Sequence, residues 1–259
     1  MPEGPEIRYL AELARKKLVG KYFENIISNS KRKISIPSRE KIINVGSKGK
    51  ILWLETKKYY FHIHFGLTGW LLFGKSKYPK YILQFSNGIE AKIDDIRKFS
   101  KLKVIKTKEK HFKRLNKLGI DILTDSFTFE QFNNIIKNKK SIIAALLLDQ
   151  HIFSGIGNYI KNEALYRARI SPKRKCNNIS DKEMKHLYDD IRYVAFCSLI
   201  EELKDGHLKI PNDIKKISPK VPRYYKFFVY ERNKDRNGNK IFMENIAGRR
   251  SFYVKSIQK

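Results

Sequence analysis

Three short stretches of the sequence combine residue types and spacing that can bind or react with a phosphate-bearing ligand. "GIGNYI" at 155–160 places two glycines before a predicted helix start, where free main-chain amides and the helix dipole attract anions. "NVGSKGKILWLE" places Lys48 and Lys50 before a strand, where a lysine can hold a phosphate or donate a proton. "DDIRKFSK" places Arg97 and Phe99 in a turn, the mix expected of a finger that enters a duplex.

Each stretch also has a simpler explanation. "GIGN" alone is typical of an ordinary connection between helices, most surface lysines are merely solvated, and the aromatic residue of "DDIRKFSK" could pack into the core. The charge favours phosphate binding, because 55 Lys and Arg against 26 Asp and Glu give a formal net charge of +29 and a pI of about 10.0. Such an excess opposes compaction unless a polyanion shares the surface, so nucleic acid is the leading candidate partner.

Other partners and cofactors have less support. A membrane surface is the second candidate, but no apolar run approaches the ~20 residues that span a bilayer, and the charged first stretch does not resemble a secretory signal. With only Cys176 and Cys197, the chain is expected to be intracellular, reduced and free of disulfides. His62 and His64 alternate with apolar residues and have no Cys, Asp or Glu nearby, so we expect structural histidines, no metal and no cofactor.

The elements that position these stretches follow from hydrophobic spacing. Apolar residues recur at helical intervals from about Pro5 to Val19, and Gly20 supplies a stop. After this helix, short aromatic and branched runs separated by Gly, Asn and Pro predict strands. This first part of the chain is therefore expected to form an antiparallel β-sandwich or barrel with a leading helix.

The second half changes character. A linker is expected around 119–125, and helical spacing then continues to about residue 205. The tail has aromatic-rich runs on both sides of Asn237–Gly238, a strong β-hairpin signal. A tail of about 37 residues cannot easily hold a core alone, so it must dock on the rest of the chain or be held by a ligand. We predict an α+β multidomain protein with a β-sandwich (1–122), an all-helical domain (123–222) and a terminal β-hairpin (223–259).

Taken in order, these stretches resemble the formamidopyrimidine-DNA glycosylase and endonuclease VIII family of bifunctional DNA repair enzymes. "MPEGPE" is similar to the family's N-terminal signature, "VGSKGK" to its lysine loop, "HFGLTG" to its HxGMxG turn and "DIRKF" to its DPRRF loop. "LLLDQHIFSGIGNYIKNEALYRARISP" resembles its helix-two-turn-helix segment. Any one match is weak, but five in the same order over nearly the whole chain are specific.

The resemblance implies a catalytic role for the first residues. If Met1 is removed, Pro2 carries a secondary α-amine, and such groups titrate at about 7.7–8.0, so an appreciable fraction is neutral at physiological pH. The resemblance makes this amine the nucleophile that attacks the sugar C1′ of a damaged nucleotide and forms a Schiff base. It makes Glu3 the acid/base beside the sugar, Glu6 a supporting carboxylate and Lys50 the proton donor for β-elimination.

The resemblance also implies residues that hold DNA. Leu67, Arg97 and Phe99 match the residues that fill the gap left by the flipped nucleotide, with Arg97 facing the orphan base. Asn158 is expected to bind a phosphate, and Lys80 to stand in for a histidine that touches the DNA backbone. Leu67 replaces the Met of many members, so the opposite-base preference is left open.

The tail departs most from the family pattern. Members usually end in a four-cysteine zinc finger, whereas this sequence has no cysteine after Cys197. "GRRSFYVKSIQK" still resembles the second strand and arginine turn of that finger, which implies the zincless-finger, endonuclease VIII-like subgroup and no metal. Arg250 then matches the arginine that binds phosphates and assists δ-elimination, with Arg249 as the alternate. Glu163 matches a buried helix glutamate of the family.

The resemblance implies a bifunctional DNA glycosylase/AP lyase of base excision repair that removes oxidised bases, pyrimidines above all, and nicks the strand by β,δ-elimination. The expected partners of a monomeric chain are damaged duplex DNA and abasic-site DNA, with single-stranded DNA as a further candidate. One alternative is a non-catalytic relative that recognises damaged DNA, which retention of Met1 would produce. An RNA-binding or ribosome-associated protein is another, but it leaves "MPEGPE" unexplained.

Overall fold

The computed structural model describes residues 2–28, 39–222 and 224–259. The chain divides into two compact units, Met1–Lys117 and Leu118–Lys259. The predicted division into three domains at 122 and 222 stays a prediction, and Met1 and Arg223, which open its first and third domains, lie outside the described residues. No helix of the described part is long and apolar enough to cross a membrane.

The first unit begins with a helix, as predicted, and continues mainly as strands. Helix α1 has one apolar face whose side chains are buried in the core. The helices of this unit are α1 (Gly4–Leu18) and α2 (Lys108–Leu115). Its strands are β1 (Tyr22–Ser28), β2 (Glu40–Lys41), β3 (Asn44–Lys48), β4 (Ile51–Glu55), β5 (Tyr60–His64), β6 (Trp70–Leu72), β7 (Pro79–Phe85), β8 (Ile89–Asp94) and β9 (Lys101–Ile105).

Two antiparallel sheets pack face to face in this unit. Their strand orders are β2-β1-β7-β8-β6 and β3-β4-β5-β9. Phe23 of the five-stranded sheet meets Phe61 of the four-stranded sheet, with ring centroids 4.8 Å apart, and both side chains belong to one buried core. Along β5 the core side chains Phe61 and Ile63 alternate with His62, which lies on the opposite face. The predicted β-sandwich with a leading helix is confirmed.

The second unit is mostly helical, as predicted. A short parallel pair of strands and an antiparallel hairpin accompany the helices. The helices are α3 (Phe129–Lys137), α4 (Ile143–Leu148), α5 (Asn158–Arg167), α6 (Asp181–Asp205) and α7 (Asn212–Ile217). The strands are β10 (Ile120–Asp121), β11 (Phe153–Ser154), β12 (Phe242–Ile246) and β13 (Arg249–Tyr253).

The terminal hairpin forms, but its turn lies later than the sequence pattern indicated. Strands β12 and β13 pair from Phe242↔Tyr253 to Ile246↔Arg249, so Ala247 and Gly248 form the two-residue turn. Both have positive φ, 52° and 72°, which a turn with the twist of a tight hairpin requires. Asn237–Gly238 forms a separate turn, in which the N–H of Gly238 donates to the carbonyl of Asp235 at 3.2 Å. The Asn-Gly signal therefore located a real turn but not the one between the paired strands.

A pair of histidines is buried on the face of the four-stranded sheet that lies away from the core. His62 Nε2 lies 2.7 Å from His111 Nδ1 in α2, and the ring of Tyr60 stacks on His111 with centroids 4.0 Å apart. Burial, followed by the charges of His111, Arg114 and Lys103, lowers the pKa of His62 to about 3. Burial also lowers the pKa of His111. The pair is therefore neutral at neutral pH, and its hydrogen bond ties α2 to the sheet.

This pair makes stability depend on pH. Because both folded-state pKa values lie below the ~6.5 of an unfolded histidine, the unfolded chain binds more protons in mild acid, and stability falls as the pH drops below that value. From pH 7.5 to 5.5 we expect a loss of about 1–3 kcal/mol of unfolding free energy, measured by urea titration. The double variant His62→Phe/His111→Phe should lose much of this pH dependence, whereas His186→Asn at an exposed site should keep it. An unchanged pH profile in the double variant would contradict this account.

Candidate nucleic-acid interface and active site

The start of α1 holds the first candidate residues in a fixed arrangement. Glu3 caps the helix in an extended conformation, and its side chain is only 1% exposed. Glu6 Oε2 accepts a hydrogen bond from the Glu3 N–H at 2.7 Å, so this carboxylate fixes the main chain of its neighbour. Pro2 is buried, and Pro5 lies in the first helical turn, where a missing N–H costs nothing. Pro2, Glu3 and Glu6 are therefore buried at the start of α1 rather than exposed in a frayed end.

Lys50 lies in the tight turn between β3 and β4. Residues Lys48 and Ile51 pair across it, which leaves Gly49 and Lys50 as the turn residues, with Gly49 at φ 53°. The lysine is partly buried, and its positive charge lowers the pKa of His64 after the larger effect of burial. Helix α1 packs against β3 and β4, the strands that flank this turn. The packing of α1 against β3 and β4 therefore positions the start of α1 and the lysine turn within the same unit.

A buried carboxylate organises the loop that carries Arg97 and Phe99. Asp95 is 0% exposed, and its side chain accepts hydrogen bonds from the Thr68 hydroxyl at 2.5 Å, the Ser100 N–H at 2.6 Å and the Arg97 N–H at 3.2 Å. Burial alone would raise the pKa of Asp95, but these bonds outweigh it and lower the pKa. The charge of Asp95 therefore holds two loops together, the 66–69 turn and the 95–100 loop.

The side chains on these two loops are presented outward. Arg97 is exposed, and its Cζ lies 4.7 Å from the centroid of the Phe99 ring, which is 49% exposed. Leu67 is partly exposed on the neighbouring turn, where Gly66 at φ 67° comes so close to Phe99 that a Cβ would touch it. The structure thus brings together the three residues predicted to fill a gap in a duplex. An aliphatic, a cationic and an aromatic side chain suit such a wedge.

Lys80 stabilises the 95–100 loop through the loop main chain. Its ammonium donates to the main-chain carbonyls of Lys98 and Ser100, and its pKa is lowered, chiefly by burial. Lys98 has a positive φ of 55°, and these bonds stabilise that uncommon conformation. The predicted contact of Lys80 with a DNA backbone stays a prediction, and the structure assigns it a role in shaping the 95–100 loop.

Removing the charge of Asp95 should loosen the loop without unfolding the unit. In Asp95→Asn, an NH2 group replaces one of the two carboxylate oxygens and faces hydrogen-bond donors. The charge is also lost, and hydrogen bonds to a charged acceptor are worth about 1.5–3 kcal/mol. We expect the amides of Arg97 and Ser100 to exchange at least about tenfold faster by hydrogen exchange. Asp125→Asn at an exposed site serves as the control. Unchanged protection of both amides in Asp95→Asn would refute this role.

In the second unit, a buried lysine connects Asn158 to the hairpin. Lys161 is 0% exposed, and its Nζ donates to Asn158 Oδ1 at 3.0 Å, Ser251 Oγ at 2.8 Å and the Arg250 carbonyl at 3.4 Å. Asn162, one residue further on, accepts from the Phe252 N–H at 3.0 Å. Asn158 thus begins α5 directly beside β13, and the positive end of the helix dipole lies at this point, where it attracts anions.

Arg249 and Arg250 lie on β13 immediately after the hairpin turn, and both side chains are exposed. Arg250 forms a long ion pair of 3.7 Å with the exposed Glu231. Such a pair is weak in water, so the guanidinium can exchange it for a phosphate. The structure places Asn158 and Arg250 in one network through Lys161: the Arg250 side chain is exposed to a polyanion, whereas Asn158 is 8% exposed and its Oδ1 is bonded to Lys161.

Glu163 fixes the segment that leads into the hairpin. Its carboxylate is 0% exposed and accepts four hydrogen bonds of 2.8–2.9 Å from the segment 225–230. The donors are the Tyr225 hydroxyl and the main-chain N–H groups of Phe228, Val229 and Tyr230. Burial, then the charge of Glu163, raises the pKa of Tyr225. The terminal hairpin is thus attached to α5 by buried polar groups.

Three residues of this site, Asp95, Lys161 and Asn162, were not predicted from the sequence. Asp95 lies in the turn "DDIRKFSK", and an Asp at the start of a short loop commonly binds the N–H groups that follow it. Lys161 and Asn162 lie three and four residues after Asn158, the spacing that places side chains on one helix face. That spacing could have identified both as partners of the predicted phosphate site.

No group of three or more His, Cys, Asp or Glu suited to a metal ion occurs within 2–28, 39–222 and 224–259. Cys176 and Cys197 are both buried free thiols, and burial raises the pKa of Cys197 to about 12. Both thiols are therefore protonated at neutral pH and suit packing rather than metal binding.

Comparisons with known proteins agree with this architecture. The N-terminal domain of formamidopyrimidine-DNA glycosylase matches residues 1–102, and the H2TH domain of the same enzyme matches residues 118–203. A formamidopyrimidine-DNA glycosylase of Protochlamydia amoebophila is 32% identical over 75% of this chain and 75% of its own length. One from Pelotomaculum thermopropionicum is 28% identical over 100% of this chain and 99% of its own.

Solved structures share the fold along the whole chain. The MutM (Fpg) protein of Thermus thermophilus superposes with a TM-score of 0.82 at 24% identity, covering 99% of this chain and 98% of that one. The Lactococcus lactis enzyme, bound to DNA containing an AP site, gives 0.81 at 20% identity and covers 99% of both chains. From its sequence and its fold, the chain belongs to the formamidopyrimidine-DNA glycosylase family.

Proposed function

We propose that this chain is a bifunctional DNA glycosylase/AP lyase of base excision repair and belongs to the zincless-finger subgroup. One observation carries the proposal: a carboxylate that is 1% exposed, Glu3, stands next to Pro2 at a helix start whose main chain is fixed by Glu6. A buried carboxylate beside an α-amine is the pair that nucleophilic and acid/base catalysis on one sugar needs. Family membership and the basic charge of +29 support DNA as the substrate.

The reaction begins at the amine of Pro2, once Met1 is removed. Its lone pair attacks the sugar C1′, the bond to the damaged base breaks, and the base leaves with the proton that the Pro2 nitrogen loses. Glu3 supplies a proton to the opening sugar ring, and an iminium remains between the Pro2 nitrogen and C1′. Because this nitrogen is secondary, the iminium is cationic without a further proton and acidifies the C2′ hydrogen. Loss of that hydrogen expels the 3′ phosphate in β-elimination.

Lys50 and Arg250 serve the later steps. Lys50, held in its two-residue turn, transfers the proton during β-elimination, and Arg250 binds the phosphate that leaves in δ-elimination. Asn158 and the start of α5 hold a backbone phosphate, with Arg249 as an alternate cation. These roles follow from the family pattern, from the turn position of Lys50 and from the exposed positions of Arg249 and Arg250.

Leu67, Arg97 and Phe99 fill the space that the flipped nucleotide leaves. The contact between Arg97 and Phe99, at 4.7 Å, presents a cation and an aromatic face as one surface, which suits stacking on an orphan base and reaching its edge. Asp95 and Lys80 keep this surface in place through the loop main chain. We expect a monomer to act on duplex DNA, with single-stranded DNA as a second substrate.

Oxidised pyrimidines are proposed as the preferred bases. The stretch between Lys204 and Tyr224, where the family carries a purine-capping loop, is short and contains α7. Solved structures of the Lactococcus lactis relative contain DNA with an oxidised pyrimidine in one case and DNA with Fapy-dG in another. The fold itself therefore accommodates both classes of damaged base. The preference therefore depends on the local shape of this stretch.

The test is base release and nicking on four duplexes that carry thymine glycol, 8-oxoguanine, an abasic site or no damage. We expect cleavage of the thymine glycol duplex with kcat/KM at least about tenfold above that for 8-oxoguanine, a difference of about 1.4 kcal/mol. The undamaged duplex should stay intact. A preference for 8-oxoguanine would overturn the proposed pyrimidine preference alone. Failure to cut any damaged or abasic duplex would overturn the proposal that this chain is a DNA glycosylase and AP lyase.

A further inference from the structure

A strongly basic groove lies on the first unit, along the strand at the edge of the four-stranded sheet. Its lining consists of residues 103–106 of β9 and its end, and of Lys110, Lys113, Arg114 and Lys117 from α2 and the turn after it. Its volume is about 720 Å³, within the usual range for sites that bury a ligand. No role in the proposed reaction uses this groove, which we call the β9–α2 groove.

The charge of the groove is almost entirely positive. Residues 101–117 contain eight Lys or Arg and a single acidic residue, Glu109. Among the residues that the structure describes, Lys103, Lys106, Lys110, Lys113 and Arg114 take part in no ion pair. The Nε of Arg114 is buried without a hydrogen-bond partner in this same part of the chain. An anionic partner would relieve the repulsion among these cations.

The groove follows the edge of a strand rather than one of its faces. Successive residues of a strand point to opposite faces, and here four consecutive residues, 103–106, line the same cavity. Within the described residues, β9 pairs on one side only, with β5. Its other edge therefore offers main-chain N–H and C=O groups to the groove, the arrangement that accepts an added strand.

The positive charge of the groove and the unpaired edge of β9 together indicate the class of partner. Phosphates of a nucleic acid can neutralise lysines, but they cannot continue the hydrogen-bond ladder of a sheet. An extended peptide can do so, and the partly buried Val104 offers it an apolar contact. We propose that the β9–α2 groove binds an acidic, extended peptide segment of a partner protein, which adds to β9 as a strand while its carboxylates pair with the lysines of α2.

The first test measures binding of a fluorescein-labelled decapeptide of alternating Asp and Val by fluorescence anisotropy at about 0.1 M salt, where charge pairs are only partly screened. Lys110→Glu/Lys113→Glu should weaken binding at least about tenfold, because two favourable pairs become repulsive. Lys215→Glu/Lys216→Glu makes the same change of net charge on exposed positions of α7 and should alter binding less than about twofold. Equal losses in both variants, or no binding below about 1 mM peptide, would overturn the proposal.

The second test separates strand addition from simple charge attraction. A decapeptide of the same charge with Pro in place of alternate Val cannot form a ladder, so it should bind at least about fivefold more weakly. The alternating peptide should also slow hydrogen exchange of amides within 103–106. Equal affinity of the two peptides would overturn the proposal. So would a K110E/K113E effect on undamaged duplex DNA larger than that on the peptide, which would make the groove a nucleic-acid surface.

Discussion

Replacing Pro2 with Gly is expected to lower strand cleavage at an abasic site by about 10³-fold while DNA binding stays within about threefold. Glycine still carries an α-amine, but a primary amine gives an imine that is cationic only after protonation. Glycine also removes the ring that fixes rotation about the N–Cα bond beside the buried Glu3, so the nucleophile loses its orientation. Single-turnover nicking and an equilibrium binding assay on the same duplex separate the two effects.

The matched control is Pro5→Ala, which changes the other proline of "MPEGPE" and leaves the α-amine intact. Pro5 is buried in the first turn of α1, where it helps to start the helix, and alanine is a good helix former that keeps this turn. We expect cleavage within about threefold of the unchanged chain. Cleavage by Pro2→Gly at a rate close to that of the control would place the nucleophile on another residue.

The substitution Glu163→Gln is expected to have the second large effect, a loss of thermal stability. The carboxylate accepts four hydrogen bonds while 0% exposed, and the glutamine amide would turn an NH2 group toward those donors. Hydrogen bonds to a charged acceptor are worth about 1.5–3 kcal/mol and a buried donor left unpaired costs about 1–3 kcal/mol, so we expect a loss of about 3 kcal/mol, which corresponds to a fall in Tm of about 6–12 °C for a unit of this size. Thermal unfolding followed by circular dichroism measures the change.

Glu130→Gln supplies the control for this variant, since Glu130 is exposed on α3 in the same unit. Its Tm should change by less than about 2 °C, consistent with a surface substitution of about 0.5 kcal/mol. Faster proteolysis within 224–246 in Glu163→Gln would locate the damage at the segment that this carboxylate holds. Equal Tm values for the two variants would show that the buried carboxylate does not hold the hairpin.

The sequence predicted the parts of this fold that depend on repeating patterns. Helical spacing in α1 and strand alternation along β5 each led to the observed element, since burial of one face dictates the period. The motif resemblance placed Leu67, Arg97 and Phe99 on neighbouring loops, and the structure joins those loops through Asp95.

Features that arise from tertiary contact were not predictable in the same way. The hairpin turn falls at Ala247–Gly248 because β13 must bring Phe252 to Asn162, and no local signal reports that constraint. The partner of His62 is His111, which lies in another element 49 residues away. Buried polar networks of this kind are fixed by the meeting of distant segments, so they appear only in the folded chain.

Reductive trapping of the covalent intermediate tests the central claim most directly. The purified protein, with its N-terminal residue established by mass spectrometry, is incubated with an abasic-site duplex and borohydride, which reduces an iminium to a stable amine. We predict a covalent protein–DNA adduct whose peptide map places the link at Pro2. A chain that begins at Pro2, binds the duplex and yields no adduct would contradict the account and would instead indicate a damage-binding protein without lyase chemistry.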